Sequence, residues 1–504
     1  MSEAVLGLDV GSSSIKAVII DLGSGKSLAH ATSPATEMEI SAPRAGWAEQ
    51  EPELWWRHVT NAIASLRKTH PRELQSVKAI GIAYQMHGLV LLDRHYKPLR
   101  PAIIWCDSRA VTYGEKAYKK LGSEFCLNRF GNSPGNFTAA KLAWVKENEP
   151  QLFEEAAHFL LPGDYIALKL TGRVGTTRSG LSEGVLCDLS THSLARDVLM
   201  ALELPQELVA PVGDNVGVFD IIAPEVAKEL GLPMGIPISY RAGDQPNNAL
   251  ALNVLNPGEV AANAGTSGVV YGVTKELGVD SLSRVNNFLH VNSTASDPRI
   301  GVLMCVNGCG SFYRWVRNSF AADRSYGELN RLAEQAPIGA NGIVAIPYGN
   351  GAERTLGNIN TGASFERIDL NRHSLSDIVR ATQEGIVFAL CYGVEIMRGM
   401  GLVPKTVRAG NANMFQSEVF CRTFATTLGV PLELYTTDGA EGAARGAAIG
   451  AGLLSYSDAF SGLEREVIIE PDSNVSEGVE DAYRAWCGVL QSKLEEFRDY
   501  SPNL

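Results

Sequence analysis

Leu8-Asp9-Val10-Gly11-Ser12-Ser13-Ser14 near the start, and Ala262-Asn263-Ala264-Gly265-Thr266-Ser267-Gly268 at an offset of 254 residues, are the two stretches that decide the reading of this chain. Each follows an apolar strand, turns on small Gly, Ser and Thr residues, and enters another apolar strand. The offset is half of the 504 residues. One short match carries little alone, but its place at the head of each half argues for two similar domains and not a solenoid. Length agrees, because a single core rarely grows past about 250–300 residues. The expected division is 1–246 and 247–504. Strands alternate with helices in both halves, so the expected class is α/β.

Working outward, residues 14–21 read as a strand, and Leu22-Gly23-Ser24-Gly25-Lys26 as a glycine turn between hairpin strands. Gly23-Ser24-Gly25-Lys26-Ser27 ends like a phosphate-binding P-loop, but that loop needs a glycine where Ile20 stands and a helix afterwards. Residues 28–32 continue as a strand instead. Leu54, Trp55, Val59, Ala62, Ile63 and Leu66 recur at helical spacing over 52–67. A short buried strand is expected at 77–83, and another at 236–240 running into Gly243-Asp244. In the second half, 375–400, 418–428 and 440–454 read as helices, and 405–409 and 431–435 as strands. The tail beyond Ser455 reads as a loop, followed by a helical pattern over 479–497.

Hydrophobic residues make up 45% and charged residues 20%, which places the chain among ordinary folded proteins. The formal charge of −12 speaks against a general affinity for nucleic acid or for an acidic membrane. The first residues show no basic leader, and no apolar run approaches about 18 residues, so neither a signal peptide nor a membrane span is expected. None of the eight cysteines forms a CxxC pair. They read as free thiols in a reducing cytoplasm. Cys305 and Cys309 have no histidine cluster beside them, so no metal site is expected there.

The two turns are suited to phosphate. Gly11, Ser12 and Ser13 let the backbone approach and present N–H and hydroxyl donors, with Lys16 counted beside them. Gly265, Thr266 and Ser267 repeat that chemistry from the other half, and a pair of such turns grips a polyphosphate from both sides. Asp9 at its strand end is a carboxylate of the kind Mg²⁺ takes while keeping most of its waters. Asn263 in the corresponding place removes a charge that would repel phosphate.

Five further segments read as chemistry or as scaffold. Asp244 in Tyr240-Arg241-Ala242-Gly243-Asp244-Gln245 is placed as a general base toward a substrate hydroxyl, or as a helix cap. His87 in Gln85-Met86-His87-Gly88 offers ring nitrogens to a sugar hydroxyl, with Met86 as an apolar wall. In Trp105-Cys106-Asp107-Ser108-Arg109, Asp107 joins an aromatic plate as polyol sites do, or pairs with Arg109. Gly442, Gly446 and Gly450 strip one helix face bare, which suits close packing or a flat floor for adenine. Upstream, Gly410, Asn411 and Asn413 offer amide groups to the nucleotide.

Taken together and in this order, these segments resemble the FGGY carbohydrate kinases, over about residues 4 to 455. The most specific are Gly46-Trp47-Ala48-Glu49-Gln50 with Trp55-Trp56, Gly81-Ile82-Ala83-Tyr84-Gln85-Met86-His87-Gly88, and Pro101-Ala102-Ile103-Ile104-Trp105-Cys106-Asp107. Phe137-Thr138-Ala139-Ala140-Lys141-Leu142-Ala143-Trp144-Val145 and Leu161-Pro162-Gly163-Asp164-Tyr165 follow. The nearest resemblance is to xylulose kinases.

That resemblance implies two duplicated actin-like (ribonuclease H-like) domains with the active site in the cleft between them. It implies ATP and Mg²⁺ as cofactors, and D-xylulose converted to its 5-phosphate in pentose catabolism. Asp244 is the expected base and, with Asp9, a metal-side carboxylate. Met86, His87, Asp107, Asp244 and Gln245 are the expected sugar contacts. The expected partners are a small sugar and MgATP, with no nucleic acid and no membrane; a homodimer is left open. The sequence departs from the family in Gln245-Pro246 after the base, in Ala409-Gly410-Asn411-Ala412-Asn413 for the usual triple-glycine turn, and in Gly362-Ala363-Ser364-Phe365-Glu366, which lacks a second glycine. Another sugar or polyol (ribulose, sedoheptulose, glycerol) is the alternative within the enzyme class. A non-catalytic ATP-binding protein is the alternative outside it, and would need neither Asp244 nor His87.

Overall fold

Residues 3–500 are described by a computed structural model. The first and last few positions of the two expected halves, 1–2 and 501–504, lie outside the described residues.

Ala4–Val10 pairs antiparallel with Ile15–Asp21, and that strand antiparallel with Ser27–Ser33. The P-loop look-alike is therefore a hairpin turn, as its flanking strands implied. On its other side Ala4–Val10 runs parallel to Val77–Tyr84, which runs parallel to Pro237–Gly243. Val216–Ile221 closes that edge antiparallel. The central strands are buried along most of their length because helices cover both faces. Helix Pro52–Thr69 buries Trp55, Val59, Ala62, Ile63 and Leu66 against one face. The other face is covered by helix Gly439–Gly450, which comes from the far end of the chain.

The second sheet repeats the plan. Ile300–Val306, Gly268–Thr274, Glu259–Ala264, Thr406–Gly410 and Leu432–Tyr435 stand side by side in that order. The first two pairings are antiparallel and the next two parallel, as in the first sheet. The likeness of two short turns thus extends to five strands in each half.

One expectation needs correcting. The tail after Ser455 is not all loop: Arg465–Ile469 adds an antiparallel edge strand to Leu432–Tyr435, with Val467 opposite Leu434. Most of that strand is exposed, and its β-branched run Val467-Ile468-Ile469 is only three residues long and set among charged neighbours. The expected division between 246 and 247 falls within helix Asp244–Ala251. The helical pattern expected over 479–497 lies within Ser476–Tyr500, where Trp486 is buried and its Nε1–H donates to the Ala345 carbonyl at 2.9 Å.

Candidate active site

Ala4–Val10, Val77–Tyr84 and Pro237–Gly243 are mutually parallel, so their carboxyl ends lie at one edge of the first sheet. Ligands of parallel sheets bind beyond that edge. The register puts Asp9 opposite Ala83 and Gly243 opposite Tyr84. Asp9, the Gln85-Met86-His87 turn and Asp244 therefore emerge together from three segments far apart in sequence.

Asp244 is the first residue of helix Asp244–Ala251. Burial, and after it the neighbouring Asp9 charge, push its carboxyl from 3.8 up to about 7, while the backbone N–H and side chain of Gln245 hydrogen-bond to it and pull the other way. Asp9 is pushed up to about 6 by burial, with Lys16 opposing and Asp438 adding to the shift. Lys16 Nζ lies 3.8 Å from Asp438. Asp438 caps helix Gly439–Gly450 through the Glu441 N–H. That helix starts against Asp9: a Cβ on Gly439 would lie 2.6 Å from Asp9 Oδ2. The amino ends of two helices thus meet at the two acids, a setting that favours negative charge brought in by a ligand.

His87 takes a left-handed backbone, φ 60°, in the turn that follows strand Val77–Tyr84. Nδ1 lies 2.8 Å from the Glu183 carbonyl. A carbonyl accepts, so Nδ1 carries the proton and Nε2 is left as an acceptor. Burial lowers the ring pKa to about 3, so His87 is neutral at working pH. Phe137 and Phe288 flank it, with ring centroids at 4.8 Å and 5.4 Å. Phe288 lies in strand Asn286–Leu289 of the second sheet, so rings from both halves flank the imidazole. Lys141 Nζ donates to the carbonyls of His87 and Ile104, each at 2.9 Å, and ties the histidine turn to the Trp105 loop. Trp105 is 48% exposed, and its indole N–H reaches Ser12 Oγ in the first hairpin at 3.3 Å.

Asp107 does not belong to the pocket. Its carboxylate is fully buried and accepts from the Ala48 N–H at 2.6 Å and from the Arg109 guanidinium at 2.7 Å. Arg109 in turn stacks 3.7 Å over Trp47 and pairs with Glu49. Those partners leave no lone pair facing a sugar, so the expectation of a substrate contact is corrected to a scaffold ion pair.

The adenine floor is also corrected. A Cβ on Gly442 would meet Ala251 Cβ at 2.8 Å, and one on Gly446 would meet the Tyr240 ring at 2.5 Å. The bare face is already covered by the first half, and packing explains it.

The second hairpin opens instead onto a cavity of about 470 Å³, lined by Gly265, Thr266, Arg314, Tyr326, Asn330 and Asn413 among others. The first N–H groups of helix Gly310–Phe320 donate to the carbonyls of Gly265 at 2.8 Å and Thr266 at 3.1 Å, which seats the hairpin on that helix. Asn413 shares this cavity, whereas the Asn411 amide turns to Glu466 on the tail strand. Phe288, Lys141, Arg314, Tyr326 and Asn330 were not singled out from the sequence. An aromatic or amide in a loop carries no periodic signal, and Lys141 is marked only by sitting in an otherwise apolar helix face.

Among the described residues, no group of three His, Cys, Asp or Glu side chains is arranged to hold a metal. No helix among them is long and apolar enough to cross a membrane. Cys126, Cys187, Cys309, Cys391 and Cys421 are buried thiols.

The chain shares 29% identity over 403 residues with the xylulose kinase of Bacillus subtilis, covering 80% of this chain and 79% of that one. The xylulose kinase of Escherichia coli is 29% identical over 445 residues, 88% of each chain. The crystal structure of xylulose kinase from Rhodospirillum rubrum superimposes with a TM-score of 0.88 at 27% identity, covering 98% of this chain and 99% of that one. Residues 4–251 match the N-terminal domain, and residues 260–454 the C-terminal domain, of the FGGY family of carbohydrate kinases, and the chain belongs to that family.

Proposed function

We propose that this carbohydrate kinase transfers the γ-phosphoryl group of ATP to a ketose hydroxyl, with D-xylulose as the substrate and D-xylulose 5-phosphate as the product. The observation that carries the reading is the meeting of Asp9, His87 and Asp244 at one sheet edge. The likeness to xylulose kinases supports the choice of sugar.

In this reading the sugar lies against Met86, His87 and Phe288, and His87 Nε2 accepts a hydroxyl proton in a hydrogen bond. Asp244 takes the proton of the reacting hydroxyl as its oxygen bonds to phosphorus and the bond to the ADP oxygen breaks. A base with a pKa of about 7 is matched to that task at neutral pH. Gln245 holds the Asp244 carboxyl in orientation. The hairpins at Gly11-Ser12-Ser13 and Gly265-Thr266-Ser267 hold the phosphates, with Lys16 beside the first. The cavity at Tyr326, Asn330 and Asn413 takes the nucleoside.

The donor set fits Mg²⁺. Asp9 and Asp244 are two buried acids whose charge a cation relieves, and Mg²⁺ is held by one or two carboxylates plus water and phosphate. When bound, it neutralises phosphate charge.

The test is ADP release measured with D-xylulose, D-ribulose, L-ribulose, sedoheptulose and glycerol. D-Xylulose should give the highest kcat/KM. A higher value for any other member reassigns the sugar, and no sugar-dependent ADP release overturns the reading.

A further inference from the structure

Glu183 ends the short helix Arg178–Glu183. Its backbone carbonyl takes the Nδ1–H of His87. Its side chain packs against the strand end before Asp244: Oε2 lies 2.5 Å from the point a Cβ on Gly243 would occupy, and Met86 Cγ lies 2.6 Å from the same point. Any side chain at 243 would drive these groups apart. One residue therefore meets His87, Met86 and the strand end that carries Asp244. The residue before it, Ser182, accepts the Leu289 N–H from the second half at 2.9 Å.

The Glu183 side chain is 2% exposed, and both carboxyl oxygens are buried. An ionised carboxylate there costs several kcal/mol unless a cation pairs with it. The groups that act most on it among the described residues include no cation. Tyr84 offers its phenol, Asp244 and Asp164 are acids, and His87 is neutral. Arg241 is engaged by Asp164 at 2.9 Å. Burial first, then the Asp244 and Asp164 charges, lift Glu183 well above the usual carboxylate range, with the Tyr84 hydroxyl pulling the other way. An apolar side chain of this size would fill the space without any polar group to bury. A polar group kept in such a place beside reacting groups marks a functional position.

We propose that Glu183 is a positioning residue for the sugar side of the site: its carboxyl, packed between Met86 and the Gly243–Asp244 strand end, and its carbonyl on His87 together set where the base and the imidazole stand. The proposal rests on the reading of Asp244 as base and His87 as sugar ligand. Glu183 acts through them and exchanges no proton in the reaction.

Two variants of similar size test it in the full-length enzyme. Glu183→Met keeps the volume and removes the polar group. It should fold, keep the KM for ATP, and lose about 10–100-fold in kcat/KM for the preferred ketose, the scale of a misplacement near the reacting atoms. Glu183→Gln restores an uncharged hydrogen-bonding group and should recover kcat/KM to within about threefold of wild type. A Glu183→Met enzyme with wild-type kinetics reduces Glu183 to filler, and a Glu183→Gln enzyme as impaired as Glu183→Met shows that the acid itself is needed; either result overturns the proposal. Asp244→Ala separates the two readings. If it keeps turnover, the assignment of the base fails and Glu183 falls with it. If it is inactive while Glu183→Met is unaffected, Glu183 alone fails.

Discussion

Asp244 stands beside Asp9 at the carboxyl edge of the first sheet, and burial together with that neighbour holds its carboxyl up to about 7. An acid tuned to neutrality at a strand end is suited to receive a hydroxyl proton. Asp244→Ala should lower turnover by about 10²–10⁴-fold, the usual scale for a positioned base. MgATP should still bind, because Asp9, the hairpins and the nucleoside cavity remain and Mg²⁺ needs only one or two carboxylates. Turnover within a few-fold of wild type would remove Asp244 from the chemistry.

The same shifts make a stability prediction whose sign is fixed. Folding raises Asp9 from 3.8 to about 6 and Asp244 from 3.8 to about 7. Between those limits the folded chain holds protons that the unfolded chain has released, so both groups cause stability to fall as pH rises toward 7. Asp244→Asn has no charge to bury. Its Tm in the ligand-free enzyme should exceed that of wild type at about pH 8, and the difference should shrink toward about pH 4. Equal Tm values at the higher pH would show that Asp244 is not destabilised by its surroundings.

The nucleoside cavity gives a third prediction. Tyr326 lies on its wall with Asn413 and Asn330. Tyr326→Ala should raise the KM for ATP and leave the KM for the ketose unchanged, since no sugar-side group touches it. Unchanged ATP kinetics would move the base to another surface.

How far the sequence could be read depends on the kind of signal. The duplication was legible because Gly11-Ser12-Ser13 and Gly265-Thr266-Ser267 are the turn chemistry that two repeated strand pairs require. Asp9, His87 and Asp244 were legible because each follows a buried strand, and parallel strands bring their ends together. Asp107 misled, since a carboxylate two residues from an arginine serves a scaffold or a ligand equally well in sequence. Only the fold shows the Trp47 ring under Arg109 that decides it. Phe288 was out of reach because its partner His87 lies some two hundred residues away and in the other half.

The glycine helix was ambiguous for a physical reason, and that ambiguity yields a fourth prediction. A stripe of small residues marks a close approach without saying by what. Here it is the first half, with the Tyr240 ring against Gly446 and Ala251 against Gly442. Gly446→Val would force a branched side chain into that ring, and overpacking of this kind destabilises by about 1–3 kcal/mol or more. The variant should lose Tm while the folded fraction keeps its KM for ATP. A normal Tm with a raised ATP KM would return the helix to the adenine site.

The last prediction concerns sugar choice. His87 is fixed by the Glu183 carbonyl at Nδ1, so Nε2 presents an acceptor between Phe137 and Phe288. Deleting one well-placed hydrogen bond in a buried site removes about 1–3 kcal/mol, and such sites discriminate by leaving groups unpaired when the wrong substrate enters. His87→Ala should therefore lower kcat/KM for D-xylulose by about tenfold or more, and lower it less for glycerol, so that the preference narrows. The KM for ATP should not move, because the nucleoside cavity lies on the second half. Burial holds the ring pKa near 3 by disfavouring the cation, so the imidazole does not titrate between about pH 6 and 9. The acid limb of the pH profile should thus be the same in His87→Ala as in wild type. Unchanged ratios among D-xylulose, D-ribulose, L-ribulose and glycerol would make His87 a structural residue held by its turn. A shifted acid limb would show instead that the imidazole carries a proton in the reaction, and that Asp244 does not act as base alone.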